Sequence, residues 1–286
     1  SLRRQNDYNS CLERARVGAA MGGLTPAQAL SLYAGANPFS TPAALRSSSY
    51  SACIDGALVR LLDWKEPAPQ AKMADKALRS FLLGDGFSCV AGKAAVRSAG
   101  YRFGYYPGFP AAQATAGLAR DLAAFVSERP SMPARYATFV AVFEELRLGS
   151  ERAFEAALWE QLRRLHELDA PLFEWDSAAS KDPADPRFAF SFAGAAFFVV
   201  GMHANASRAS RRFFLPSLAF NLHSQFDASR KSGQYTRIQS LVREREMNVQ
   251  GSINPELREF GTASEARQYS GRRIEATWTC PFAAHS

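Results

Sequence analysis

The stretch that decides the fold class is RFAFSFAGAAFFVVGM, residues 187–202. In its first half, large apolar residues alternate with small ones, which is the period of a strand with one buried face. The alternating residues are Phe188, Phe190 and Phe192. Ala193–Gly194 then permits a tight turn into a second apolar run over 195–202. The stretch therefore predicts an antiparallel hairpin.

Three further strands are predicted from β-rich or alternating segments, at 136–143, 217–223 and 273–279. In the second of these, alternation places Leu218, Phe220 and Leu222 on one side. It places Asn221 and His223 on the other side.

Helices are predicted between these strands, over 25–35, 91–98, 111–127 and 235–246. Another begins after Ser150, a good N-cap residue, and carries apolar side chains at helical spacing. The irregular order of helices and strands predicts an α+β fold, with a mixed or antiparallel sheet flanked by helices. We expect a helical region over 1–80 packed on a core over 81–286, as one compact domain overall.

Composition and charge narrow the class of protein. The 286 residues are 47% hydrophobic and include 21 phenylalanines, enough for a substantial core. The formal net charge is +7, but the densest basic group, Arg208, Arg211 and Arg212, suits a local anion site, such as a carboxylate pair, better than a phosphate-tracking stripe. A solvated basic surface is the alternative. Because the basic residues form no extended stripe, we expect no nucleic-acid partner. We also expect no membrane span, because the longest apolar run, 193–202, is far shorter than the roughly 18 residues that a span needs.

The four cysteines show no CxxC pair, which argues against a zinc site or a disulfide framework. No secretory leader opens the sequence, so a cytoplasmic protein with free thiols is expected. P-loop, GxGxxG, HExxH and GxSxG motifs are absent, which removes several common enzyme classes.

Cys89 stands in FLLGDGFSCVAGKAAVRS, residues 81–98, between a loop with Gly84 and Gly86 and a predicted helix. At a helix N-terminus, unpaired backbone N–H groups and the helix dipole favour a thiolate, and Lys93 adds a nearby cation. The sulfur could be a nucleophile, an iron ligand or an inert core atom. A nucleophilic cysteine usually needs a histidine base. His166 and His285 are expected to be structural or in the tail, respectively.

His203 and His223 each end a predicted strand, so either could ligate a haem iron and rival Cys89. Cys280, after the last predicted strand, is a weaker candidate ligand.

Two polar segments are candidate binding loops. In HANASRASRRF, residues 203–213, Asn205 or Ser207 could cap a short helix whose first N–H groups bind an anion together with the arginines. In the segment 254–273, Glu265 could hold a cationic substrate group, and Tyr269 and Arg272 could hold a carboxylate.

Several segments in a fixed order resemble the YqcI/YcgG family. They include WDSAASKDPADPRFAFSFAGAAFFVVGMHANASRASRRF, FNLHSQFDASRKSG, QGSINPELREFG, SEARQYSGRR and WTCPF, and the resemblance covers about 81–103 and 150–282. The family includes haem-dependent N-hydroxylases of guanidines that act in natural-product biosynthesis, including that of antibiotics. The resemblance implies haem b, dioxygen, and oxygen insertion at a guanidine nitrogen, with L-arginine converted to N-omega-hydroxy-L-arginine as the expected reaction.

The resemblance also implies residue roles. Cys89 becomes the expected axial ligand, because a thiolate pushes electron density towards bound oxygen more strongly than histidine; His203, His223 and Cys280 are the alternatives. The glycine loop before it is similar in design to the thiolate loop of cytochromes P450, in another register. His203, Arg208 and Arg212 are expected to seat the haem.

On the substrate side, Glu144, Glu145 or Glu265 is expected to pair with the guanidinium. A reductase or ferredoxin would supply electrons, and a homodimer is left open. The alternative hypotheses are a non-catalytic, histidine-ligated haem sensor or carrier, and an anion-binding or nucleic-acid-associated protein in which Cys89 is core.

Overall fold

The computed structural model describes residues 37–284, except 64, 99, 133, 145–147, 232, 255 and 257–260. The helix predicted over 25–35 lies outside these residues. The seven strands are β1 (Ser51–Ile54), β2 (Ala57–Arg60), β3 (Tyr101–Tyr106), β4 (Thr138–Phe143), β5 (Phe190–Phe192), β6 (Ala195–Met202) and β7 (Ser217–Leu222). They form one sheet in the order β2-β1-β3-β4-β7-β6-β5. Only β3 and β4 pair in parallel. The predicted α+β fold with a mixed sheet is confirmed.

The helices in the described part of the chain are α1 (Pro42–Ser47), α2 (Pro69–Leu83), α3 (Val90–Arg97), α4 (Ala112–Glu128), α5 (Glu151–Asp169), α6 (His223–Lys231), α7 (Gln234–Gln250) and α8 (Ala266–Tyr269). Two single 3₁₀ turns, Arg129–Ser131 and Ala209–Arg211, accompany them. The predicted helices over 91–98, 111–127 and 235–246 are therefore confirmed. So is the cap of α5, where the Ser150 hydroxyl accepts a hydrogen bond from Ala153 N–H at 3.1 Å. None of these helices is long and apolar enough to cross a membrane.

The hairpin from which the fold class was inferred forms as predicted. Phe190 lies opposite Phe197, and the two-residue turn places Ala193 and Gly194 at φ angles of 51° and 71°. Left-handed conformations at both turn positions match the right-handed twist of the flanking strands. The Asp169 carboxylate, at the end of α5, accepts a hydrogen bond from Ala193 N–H at 2.7 Å and holds the turn in place.

The two faces of the sheet differ in what covers them. On the first, here the packed face, α1, α4 and α5 cover a large core that includes Phe139, Phe154 and Phe197. On the second, here the cavity face, α2 covers a smaller core that includes Phe103 and Met202. Alternation along β6 points Phe197 and Val199 to the packed face and Val200 and Met202 to the cavity face.

Two strand predictions need correction. Residues 273–279 form turns and irregular backbone and pair with no strand in the described residues. β7 ends at Leu222, so His223 opens α6 instead of continuing the strand. Three strands, β1, β2 and β3, were not predicted, and the described part of the expected helical region 1–80 includes the hairpin of β1 and β2.

Candidate functional site

A cavity lies on the cavity face, between the sheet and the helices α3, α6 and α7. It has two lobes with volumes of about 170 and 140 Å³, here lobe 1 and lobe 2. Six residues line both lobes: Cys89, Phe198, Val200, Asn221, Val242 and Gln268. Lobe 1 also has Tyr136, Ser229, Arg230, Tyr235, Gln239 and Glu265 on its wall. Lobe 2 also has Phe87, Ser88, Arg208, Arg211, Glu246 and Asn254. Each lobe by itself is smaller than the roughly 300–1,000 Å³ typical of ligand sites, and the shared wall shows that the two adjoin.

Cys89 occupies the wall common to both lobes. It is the N-cap residue of α3, and its Sγ accepts a hydrogen bond from Gly92 N–H at 3.4 Å. Burial raises the pKa of the thiol, while the N–H groups of Gly92 and Ala91 and the Arg211 cation act in the opposite direction. Because burial is the larger effect, the sulfur is a neutral thiol until a cation or metal stabilises its ionised form. The predicted helix-start position is confirmed, and it faces a cavity.

Lys93 does not serve the sulfur as the sequence suggested. Its ammonium donates a hydrogen bond of 2.7 Å to the carbonyl oxygen of Gly84, at the C-terminal end of α2. A lysine in this place satisfies carbonyls left open by the helix end. The cations whose charge acts on Cys89 are instead Arg211 and Arg245.

Glu265 lies on the wall of lobe 1 and is 7% exposed. Its Oε2 lies 2.7 Å from Nε2 of His223, which is also buried. This contact fixes the carboxylate and leaves Oε1 without a hydrogen-bond partner among the described residues. The ring of His223 therefore contacts Glu265 and lines neither lobe of the cavity. A carboxylate with one open oxygen in a cavity wall can receive a donor from a ligand.

The three clustered arginines have different surroundings. Arg208 donates to the carbonyls of Ser252 and Ile253 at 2.7 and 2.8 Å, and lies 3.8 Å from a Glu246 oxygen. Arg212 donates to two carbonyls of its own loop and lines neither lobe. Arg211 lies inside lobe 2. The structure therefore places Arg208 and Arg211 at the cavity, and Arg212 outside it.

The predicted anion site at the start of a short helix is wrong. The segment forms only the 3₁₀ turn Ala209–Arg211, without a side-chain cap. Two N–H groups at its start already have partners, because Ser207 N–H donates to Glu151 and Ala209 N–H to Gln250, at 2.8 and 2.9 Å. A bound anion would have to displace these contacts.

His203 lies on the packed face, across the sheet from Cys89. Its ring stacks on Phe154 of α5 with centroids 4.2 Å apart, and neither ring nitrogen has a hydrogen-bond partner in the described chain. Burial lowers the pKa of His203 to about 4, so the ring is neutral at pH 7. It lines neither lobe. A ligand in the cavity is therefore not in contact with His203.

The remaining predicted residues lie away from both lobes. Tyr269 and Arg272 are buried in structural contacts, Tyr269 with strands β5 and β6 and Arg272 with Glu155. Cys280 is partly buried beside the packed-face core, and burial raises its pKa to about 12. Glu144 is exposed. Glu145 and His285 lie outside the described residues.

The family of the chain follows from comparison with protein-family models. Residues 78–283 match the model of the YqcI/YcgG family. The chain belongs to this family. No curated protein matches the sequence, and no solved structure matches it.

The donor set of this YqcI/YcgG protein was tested for a metal centre. The described residues contain no group of three or more histidine, cysteine, aspartate or glutamate side chains able to enclose a metal ion. In the described part of the cavity wall, protein side chains alone therefore supply too few ligands for a bare ion. A haem does fit the donor set, since its ring supplies four nitrogens and only one axial ligand must come from the protein. Cys89 is that donor on the cavity wall, with apolar Phe198, Val200 and Val242 around it.

Sequence reasoning missed several residues of the cavity. The Tyr136 hydroxyl lies 2.8 Å from Oγ of Ser229, and both line lobe 1. Asn221 lines both lobes and uses its Nδ2 on the carbonyls of Phe198 and Ala219. For Asn221 the signal was available, because strand alternation had already placed it on the polar side of β7. Nothing in the sequence joins Tyr136 to Ser229.

Proposed function

We propose that the protein is a haem-dependent monooxygenase that hydroxylates a guanidine nitrogen, with L-arginine as its substrate. The observation that carries the proposal is the position of Cys89, whose sulfur borders both lobes of the cavity. Of the four candidate iron ligands, Cys89 alone lines the cavity among the described residues. The resemblance to guanidine N-hydroxylases supports the same assignment.

Cys89 would hold the haem from the N-cap of α3. Binding of iron deprotonates a coordinating thiol, so the raised pKa of the free thiol is overcome on ligation. The Gly92 N–H at 3.4 Å would donate to the bound sulfur and stabilise its negative charge. The haem, when bound, supplies dioxygen activation, and thiolate ligation favours O–O cleavage.

Glu265 and Asn221 would orient the guanidinium. Glu265 offers its open Oε1 in lobe 1, and the hydrogen bond to His223 keeps the carboxylate from rotating. Asn221 directs its amide nitrogen to backbone carbonyls, which leaves Oδ1 as an acceptor on the wall shared by both lobes. Two fixed acceptors suit a planar guanidinium, whose N–H groups form a rigid fork.

The overall reaction requires an electron donor. One oxygen atom of dioxygen enters a guanidine N–H bond, and the other leaves as water after taking up two electrons and two protons. A reductase or ferredoxin is the proposed donor. The net charge of +7 supports docking of an acidic partner of this kind.

The absorption spectrum of the purified, reduced protein with carbon monoxide tests the haem assignment. We expect a Soret band with the strong red shift of a thiolate ligand. The red shift should be lost in Cys89→Ala and kept in Cys280→Ala, since Cys280 lies outside the cavity. No Soret band in the wild type refutes the proposal, and an unshifted band that persists in Cys89→Ala favours the histidine-ligated carrier.

Substrate turnover is tested with arginine, reductant and oxygen. Hydroxyarginine is the expected product, and Glu265→Gln should weaken arginine binding on the order of 10- to 100-fold, because a charge-assisted pair becomes a neutral one. Glu256→Gln is the matched control, since Glu256 is equally buried but pairs with Arg267 outside the cavity. Equal effects of the two substitutions would refute the role of Glu265.

A further inference from the structure

Arg211 is a partly buried cation with unsatisfied donors. Its Nη1 donates to the carbonyls of Gly201 and Tyr269 at 3.0 and 3.3 Å, and its Nη2 donates to that of Gln268 at 3.3 Å. Two of its five N–H hydrogens, one on Nε and one on Nη2, have no acceptor among the described residues. No carboxylate in the described chain lies within ion-pair distance of it. Its hydrogen bonds go to carbonyl oxygens, and the carboxylate of Glu246, which lines the same lobe, compensates its charge only from beyond ion-pair distance.

The position of Arg211 is imposed by the fold. β5 pairs only with the first part of β6, so the carbonyl of Gly201 further along β6 is free to accept from Arg211. Gly271 packs against the side chain, and a Cβ there would lie 3.1 Å from Cγ of Arg211 at a φ of +79°. Burial lowers the pKa of Arg211 only to about 10, so the guanidinium is charged at pH 7. The structure thus places a fixed positive charge in the wall of lobe 2.

We propose that lobe 2 is a carboxylate-binding site and that Arg211 is the residue that binds the carboxylate. A desolvated cation with no carboxylate bonded to it is unfavourable, and an anion that offers two oxygens to the free N–H groups would compensate it directly. Glu246 lies within ion-pair distance of Arg208, at 3.8 Å, and acts on Arg211 only from farther away, so Arg211 is the stronger attraction for a ligand. The site takes the class of small organic carboxylates.

The two candidate sources of this carboxylate come from the proposed function, and in that respect the inference rests on the proposed function. One source is a propionate of the haem, and the other is the carboxylate of the amino-acid substrate, whose guanidinium would lie towards Glu265. Both present the same chemistry to Arg211. Paired ligands that differ only in the carboxylate distinguish them.

The experiment compares Arg211→Gln with Arg212→Gln. Arg212 is the matched control, because among the described residues its guanidinium bonds only to the carbonyls of Ala206 and Ser207 and lines neither lobe. In one arm, the apoprotein is titrated with haem and with haem dimethyl ester, and the Soret band is followed. In the other arm, arginine and agmatine, its decarboxylated counterpart, are titrated by calorimetry.

We expect the wild type and Arg212→Gln to prefer the carboxylate-bearing member of one pair on the order of 10- to 100-fold, as a charge-assisted bidentate contact implies. Arg211→Gln should lose that preference. The loss is expected for haem over its dimethyl ester if the carboxylate is a haem propionate, and for arginine over agmatine if the carboxylate belongs to the substrate. If Arg211→Gln does not fold, Arg211→Lys replaces it, and its preference should fall several-fold since the planar fork is lost.

The inference is overturned if the wild type shows no preference in either pair, or if the Arg211 variant keeps the preference of the Arg212 control. These outcomes are distinct from failure of the proposed function. A protein without a Soret band can still prefer arginine over agmatine through Arg211, and a thiolate-ligated haem protein can still be indifferent to Arg211→Gln.

Discussion

Tyr269 tests whether a residue first predicted to bind substrate is instead structural. Its hydroxyl accepts a hydrogen bond from Phe190 N–H of β5 at 3.0 Å and donates one to the Phe197 carbonyl of β6 at 2.9 Å. The side chain is fully buried. Tyr269→Phe removes both bonds and leaves a buried N–H and a buried carbonyl without this partner. Two lost bonds and the desolvation of their partners give a cost of about 2–4 kcal/mol in the free energy of unfolding.

Urea unfolding, followed by tryptophan fluorescence, measures this cost directly. The ring of Trp159 stacks on that of Tyr269 with centroids 5.6 Å apart, so the probe reports on the same region. The melting temperature should fall by roughly 5–10 °C. Tyr105→Phe is the control, because the Tyr105 hydroxyl has no hydrogen-bond partner among the described residues and its loss should cost less than about 0.5 kcal/mol. An unchanged stability together with weakened arginine binding would refute this reasoning and restore Tyr269 to the site.

Three further predictions follow from single positions. Burial raises the pKa of Asp169 to about 6, above its value in the unfolded chain, so the folded state binds the proton more tightly. The free energy of unfolding of the wild type should therefore fall, by at most about 3 kcal/mol, as the pH rises from 4 to 6. Asp169→Asn should abolish that part of the slope in urea titrations at several pH values, and parallel slopes would contradict it. Gly117→Ala should lower the melting temperature, because the added Cβ would lie 2.5 Å from the Ser47 carbonyl oxygen. The control Gly149→Ala should leave it unchanged, since no described atom lies within 4 Å of the added Cβ, and equal melting temperatures of the two variants would contradict the prediction. Val242→Trp should abolish binding of haem and arginine with little loss of stability, since Val242 lines both lobes, and unchanged binding would exclude this cavity as the site.

The elements that the sequence predicted are those whose signals are local. Alternation and a two-residue turn were enough for the hairpin of β5 and β6, and an N-cap with helical spacing was enough for α5. A comparable signal was overlooked at Asp55–Gly56, where φ angles of 47° and 83° form the two-residue turn between β1 and β2. The segment 273–279 shows the opposite error. Its composition favours a strand, but a strand exists only where a partner pairs with it.

The site depended on non-local facts. The N-cap position of Cys89 was predictable, because glycines before a helix are a local pattern. That Glu265 lines the same cavity is a result of how α8 and the sheet pack, and no periodicity links residues so far apart. The choice between His203 and Cys89 likewise rests on which face of β6 each one borders. Strand alternation separates the two faces of β6, but it shows which face borders the cavity only when the bounds of the strand and the positions of the covering helices are known.

Two charged side chains on the cavity face keep open hydrogen-bonding groups that border an enclosed space. On the packed face, the polar side chains of Tyr269 and Arg272 are used fully in holding strands and helices together. On the cavity face, Arg211 keeps two free N–H groups and Glu265 keeps one free oxygen. Buried polar groups in folded proteins are nearly always satisfied, so open ones that border a cavity mark where a ligand can complete them.

Several buried groups on the packed face also lack hydrogen-bond partners among the described residues, including Trp159 Nε1, Trp175 Nε1 and both ring nitrogens of His203. The pKa of His203, about 4, keeps its ring neutral at pH 7, and a neutral imidazole stacked on Phe154 at 4.2 Å behaves as an aromatic packing residue. It is enclosed by the core and borders no cavity lobe, so a ligand cannot reach it without opening that core. The free groups on the cavity face differ in that they border a space large enough to be filled. Function is therefore assigned to the side of the sheet where Cys89, Arg211 and Glu265 share one cavity.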